Sequence, residues 1–142
     1  MLAFAADGSR EAGCEWLHVD FDPVHRKFYM DAFHRRAKFP LLQAFGRRPE
    51  SLKTHALSAY GAQAIDLGDV SVSIPALPRI RVALVLWAGD DEFPPEGNIL
   101  FDRNTNAYLS AEDMAWLSGM IVYPLMGMAR HDEKAEQEAK DE

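Results

Sequence analysis

The chain has 142 residues and a single cysteine, Cys14. One cysteine excludes an internal disulfide and excludes a four-cysteine zinc or iron–sulfur centre built from one chain. Long apolar runs are also missing. The longest, Val82–Gly89 and Met120–Ala129, fall far short of the ~20 residues that a membrane-spanning helix needs. The apolar start Met1–Ala6 meets Asp7–Glu11 at once, with no basic leader, so no secretory signal is read there. Together these absences point to a soluble cytoplasmic protein. The chemistry-bearing signatures are absent too. There is no GxGxxG fingerprint, no P-loop, no HExxH pair and no GxSxG elbow, which removes the common dinucleotide, nucleotide, zinc-protease and serine-hydrolase readings.

What is present suits a globular core. Hydrophobic residues make up 48% of the chain, the ordinary share for a folded domain. The net charge of −7 is unevenly placed. Between Arg26 and Arg48, seven cations stand against Asp31 alone, whereas between Val85 and Asp113 seven acids stand against Arg103 alone. Either the two segments face each other or the first is an anion-binding face. Arg35, Arg36 and Lys38 lack interleaved aromatics and the whole chain is acidic, which argues against nucleic acid. Residues 131–142 hold six acids and two lysines and no large apolar side chain. The chain is therefore expected to form one domain over residues 1–130, followed by a polar acidic tail.

Periodicity locates the elements. Cys14–Phe21 alternates in type and predicts a short strand. Asp22-Pro23 predicts a helix start. A stripe at His25, Tyr29, Phe33, Ala37, Leu41 and Phe45 predicts the helix itself, with a kink or break at Pro40 and Gly46 as a left-handed cap. Pro49 opens a second helix with Leu52, Ala56, Ala59 and Tyr60 inward, closed by Gly61. The period then changes to two. Val70, Val72 and Ile74 predict a strand, Pro75–Pro78 a turn, Ile80 to Trp87 a central strand, and Asn98–Asp102 a third. Ser110 with Asp113 predicts a capping box for a last helix with Met114, Leu117, Ile121, Leu125 and Met128 inward and a bend near Pro124. The class is α+β: an antiparallel sheet of three to five strands with helices packed on one face.

Two clusters carry possible chemistry. Asp90, Asp91 and Glu92 follow the central strand and precede Pro94 and Pro95, so the carboxylates are held rather than trailing. Crowded carboxylates serve as acid–base groups or hard-metal ligands, but the spacing is not that of a calcium loop. With Trp87, Phe93 and Tyr108 as walls and Arg79 or Arg81 nearby, the same segment predicts a small-ligand cleft. The second cluster is His18, Asp20, Asp22 and His25, with Cys14 four residues before His18. It could converge on a transition metal, although Cys14 by itself reads as a small buried hydrophobe. No catalytic residue, metal or cofactor is assignable from these patterns, and the balance leans away from an enzyme. The expected function is a non-catalytic small-ligand or metal-binding accessory domain centred on the loop of Asp90 to Pro95. A small carboxylate- or metal-dependent enzyme is one alternative. The other is a protein–protein module using Met120, Met126 and Met128 as an adaptable surface.

Leu77-Pro78-Arg79, Trp87, Asp90 to Pro94, Leu100-Phe101-Asp102, Tyr108-Leu109 and Glu112-Asp113 resemble the C-terminal part of an uncharacterised prokaryotic family. This is the domain-of-unknown-function family numbered three thousand seven hundred and eighty-six. Ala32-Phe33 with Arg36, and Phe45-Gly46, extend the likeness, which spans roughly residues 25 to 125. The resemblance implies a shared fold, an important acidic loop and iron–sulfur or corrinoid-linked proteins as partners. It implies no catalytic residue. Set against that resemblance, this chain is expected to lack the cysteine-rich segment of the fused members and part of the family's N-terminal half.

Overall fold

The computed structural model describes residues 16–18 and 26–141. Five strands form one antiparallel sheet in the order β1-β5-β4-β3-β2. They are β1 Trp16–His18, β2 Gln63–Ile65, β3 Val70–Leu77, β4 Ile80–Trp87 and β5 Glu96–Asp102. The helices are α1 Arg26–Phe33, a π-helical segment His34–Lys38, α2 Phe39–Phe45, α3 Pro49–Tyr60 and α4 Ala111–Lys140, the last preceded by a 3-10 turn at Thr105–Ala107. The α+β class with an antiparallel sheet is therefore the observed one. The helix start at Asp22-Pro23, Cys14, and the cluster Asp20, Asp22 and His25 lie outside the described residues.

Register follows the apolar alternation. Val82 pairs with Phe101 and Leu84 with Ile99 across β4 and β5, and Val72 with Leu84 and Ile74 with Val82 across β3 and β4. This puts Val72, Ile74, Val82, Leu84, Leu86, Ile99 and Phe101 on one face. There they join Phe33, Ala37, Leu41, Phe45, Leu52, Ile121 and Leu125 from the helices in a single core. Each fully buried large side chain there contributes about 1.5–3 kcal/mol. β4 is central and buried on both faces: Arg81, Ala83 and Val85, on the side away from this core, are also inaccessible.

The helical stripe holds a feature that hydrophobic spacing alone did not announce. Phe33, Ala37, Leu41 and Phe45 recur every four residues and are all buried. In a pure α-helix each four-residue step overshoots a full turn by about 40°, so the stripe would wander around the helix. The wider π turn, in which the Phe39 amide bonds back to the His34 carbonyl, takes up that drift. It also accommodates Pro40, which follows directly on the wider turn, where the backbone ladder is already changing from one spacing to another. The chain therefore neither breaks nor ends at Pro40.

Two turns differ from expectation. Gly46 is not left-handed: it has φ −58°. Its lack of a side chain serves space instead, because a Cβ there would lie 2.6 Å from the Leu42 carbonyl oxygen and 3.3 Å from the Cβ of Pro95. Pro75 is not in the turn either. β3 runs on to Leu77 with a register shift between Pro75 and Leu77, and Pro78-Arg79 makes the turn. β2 reaches along β3 only to Ser73, so at Pro75 the outer edge carries no ladder that the missing N–H would interrupt. Gly61 closes α3 at φ 64°, as a left-handed cap.

Ser110 and Asp113 form the full capping box at the start of α4. The helix continues through Pro124 without interruption. Pro124 lies on the exposed face, where water can solvate the carbonyl it leaves unpaired. The acidic C-terminal stretch continues α4 and is pinned to α3. Arg48 donates two hydrogen bonds to Glu136, of 2.8 and 2.7 Å, and His55 Nε2 lies 2.6 Å from Asp132 Oδ2. Among the described residues, no helix is long and apolar enough to cross a membrane.

Candidate functional site

The acidic segment is built from the end of β4 outward. Gly68 has φ +59° and turns the chain so that Asp69 lies beside this strand end. The Asp69 amide donates to the Leu86 carbonyl at 2.9 Å, and the Ala88 amide donates to Asp69 Oδ2 at 2.7 Å. The exit from β4 is thus tied on both sides. The next residues close a tight turn. Asp90 Oδ1 accepts from the amides of Glu92 and Phe93, both at 2.8 Å, and the Asp90 amide donates to the Phe93 carbonyl at 2.8 Å. An aspartate bonding its own downstream amides is the local chemistry that favours this residue in turns. Gly89 fits because a Cβ there would sit 2.6 Å from the Pro95 nitrogen.

Pro95 packs on Gly46, which brings the link between α2 and α3 against the acidic turn. The two enclose an open depression of about 460 Å³ lined by Gly46, Arg47, Pro49 and Ala88 to Pro95. Arg47, Asp91 and Glu92 are exposed at its margin, and Phe93 is 67% exposed. The basic segment and the acidic segment therefore do face each other here. A second link is the Lys38–Glu96 ion pair at 3.1 Å.

The eight residues selected from the sequence fall into two groups. Trp87, Asp90, Asp91, Glu92 and Phe93 stand together at one end of the sheet. Arg79 lies in the β3–β4 turn, Arg81 at the start of β4, and Tyr108 beyond the end of β5, all at the other end. Six residues of extended chain separate Arg81 from Trp87 by roughly 20 Å, so the one cleft envisaged for all eight does not form. Arg81 is 3% exposed and donates from Nε to Ser73 Oγ at 2.8 Å. The acidic turn takes Arg47 as its cationic neighbour instead of Arg79 or Arg81. Nothing in the spacing of Gly46-Arg47-Arg48-Pro49 announces that neighbour, because the proximity arises from the packing of Pro95 on Gly46. Asp90 is committed to backbone amides, and among the described residues no group of three or more His, Cys, Asp or Glu side chains is arranged to hold a metal ion.

Two titrating groups flank this region. Hydrogen bonding from the Gly97 amide, then Lys38, holds the Glu96 carboxyl below its ordinary 4.5. Burial, then Lys38, pushes the His34 imidazole below its ordinary 6.5. In both cases the folded state binds fewer protons than the unfolded chain. The stability each supplies is full above its ordinary pKa and is lost as pH falls through the folded value. Thermal unfolding should therefore show a midpoint that declines with acidification, first below pH 6.5 and then below pH 4.5. His34→Gln should flatten the upper part and Glu96→Gln the lower. Glu96 is more than half exposed, so its part is the smaller. An unchanged profile in both variants would reject this assignment.

No curated protein and no solved structure matches the chain. The family model of DUF3786, a domain of unknown function, matches residues 25–123. That span takes in the π-helical segment, the whole of β2 to β5 and the acidic turn, and the chain belongs to this family.

Proposed function

We propose that the domain is a non-catalytic binding module whose recognition site is the acidic turn and the depression beside it. The observation that carries this reading is the clamping of the turn. Asp90 Oδ1 holds two amides and Asp69 holds a third, so Asp91, Glu92 and Phe93 project from a rigid frame. Preorganised charges around an apolar ring bind with little loss of conformational entropy. The ligand that fits is a small molecule or side chain with a cationic group, met by Asp91 and Glu92, and an apolar body against Phe93. Arg47 at the opposite margin suits a ligand that also carries an anionic group.

Acid–base catalysis is the weaker reading of the same residues, because Asp90 is spent on the turn and only two outward carboxylates remain. The accessory role beside iron–sulfur or corrinoid-linked proteins rests on the family resemblance and forms part of the proposal.

Amide chemical-shift mapping tests the site. A panel of arginine, polyamines, zwitterionic amino acids, divalent ions and a corrinoid should contain a member that shifts the amides of Ala88 to Phe93 and of Arg47. Asp91→Asn combined with Glu92→Gln should weaken that response at least tenfold. Shifts confined to other surfaces, or none across the panel, would remove the reading.

A further inference from the structure

The long helix α4 buries one side against the π-helical segment, α2 and α3 and shows a second ordered pattern on the other. Trp116, Met120, Tyr123, Gly127 and Arg130 succeed one another at spacings of four, three, four and three. They therefore form one seam along the helix, the spacing by which helices pair in coiled coils. The seam is open to solvent: Trp116 is 63% exposed, Met120 66% and Tyr123 48%. Three large apolar side chains in line on a helix face are more than scattered surface hydrophobics. The Arg36 guanidinium sits 5.3 Å from the centre of the Trp116 ring, holding that ring in place from the neighbouring helix.

The charges at the two ends of the seam differ in sign. Glu112 and Asp113 precede Trp116, while Arg130 follows Gly127, and all three are exposed. Gly127 has no atom within 4 Å of the position a Cβ would take, so it is a flat place in the seam. These features are complementary to themselves when the helix is reversed.

We propose that the exposed seam of α4 is a homodimer interface, in which a second copy of this chain docks antiparallel about a two-fold axis level with Ile121 and Val122. In that arrangement Met120 of each copy packs on Tyr123 of the other. The Trp116 ring covers the bare backbone at the other copy's Gly127, and Glu112 and Asp113 lie opposite its Arg130. The contact is isologous, so it closes at two copies. The seam from Glu112 to Arg130 is roughly 27 Å long, short for a protein interface, so association is weak and concentration-dependent.

Sedimentation velocity of the chain from about 1 µM to 1 mM tests this, with an expected midpoint on the order of 10–100 µM. Met120→Glu should leave monomer throughout, with unchanged circular dichroism because Met120 is outside the core. Arg130→Glu should weaken the dimer several-fold, and adding Glu112→Arg to it should restore the association. Wild-type monomer at every concentration would overturn the proposal. So would a dimer indifferent to Met120→Glu, or a charge swap that fails to restore pairing. A chain that stays monomeric but sediments with vesicles of anionic phospholipid would assign the face to a membrane surface and equally overturn the dimer.

Discussion

Gly68→Val is expected to destabilise the domain by about 3 kcal/mol, the sum of a left-handed conformation forced on a branched residue and an overpacked contact. Gly68 has φ +59°, and a Cβ there would lie 2.8 Å from Val85 Cγ1 and 2.9 Å from the Leu86 carbonyl oxygen. The neighbouring strand is the centre of the sheet and has no room to yield. Gly68→Ala meets the same backbone atom with less bulk and should cost roughly 1–2 kcal/mol. Chemical denaturation reads both values. The effect should extend to the acidic turn, because Asp69 follows directly and its carboxylate holds the Ala88 amide. Loss of the turn's amide protection in the milder variant, with the sheet still protected, is the expected hydrogen-exchange pattern. Full stability of Gly68→Val would mean that the left-handed bend does not brace the strand.

Phe101→Ala is expected to cost about 3–5 kcal/mol, among the largest effects of truncating any described side chain. Phe101 is fully buried, pairs with Val82 on one side and Leu17 on the other, and is the largest side chain that the sheet contributes to the core. Its removal leaves a cavity between strands and helices that neither layer can close. The midpoint of thermal unfolding should fall by on the order of 10 °C, and the variant should remain cooperative. The same substitution at exposed Phe93 should leave stability unchanged to within about 0.5 kcal/mol. Together the pair separates a residue that holds the fold from one that is offered to a ligand.

The helices and strands were legible wherever a residue's neighbours along the chain decide its role. Val70, Val72 and Ile74 alternate with serines, and Ile80 to Leu86 read as the central strand. The Ser110–Asp113 box marks its helix to the residue. Features that depend on partners remote in sequence were not legible. Pro75 stays in its strand only because β2 begins at Gln63, opposite Ser73, and covers nothing beyond it. Gly46 makes room not only for the Leu42 carbonyl of its own helix but also for Pro95, a residue almost fifty positions away, and only the second of these was out of sight in the sequence. The candidate site shows the same limit. Arg79 and Arg81 look close to Asp90 in the sequence, but an extended strand puts its full length between them, whereas Arg47 arrives from another element. The exposed seam of α4 did carry a signal. Trp116 and Tyr123 are large aromatics that fall off the buried stripe of Met114, Ile121 and Leu125.

The π turn at His34–Lys38 is, in effect, one residue more than an α-helix requires. Deleting a single residue there would not simply shorten the helix. It would tighten the turn into ordinary α geometry and swing everything downstream through about 100°. Leu41 and Phe45 would rotate out of the core, and the link carrying Arg47 would leave the acidic turn. That one surplus residue therefore sets the angular phase between the first helix and the site, and the register of this helix is a place where the chain tolerates substitution far better than loss.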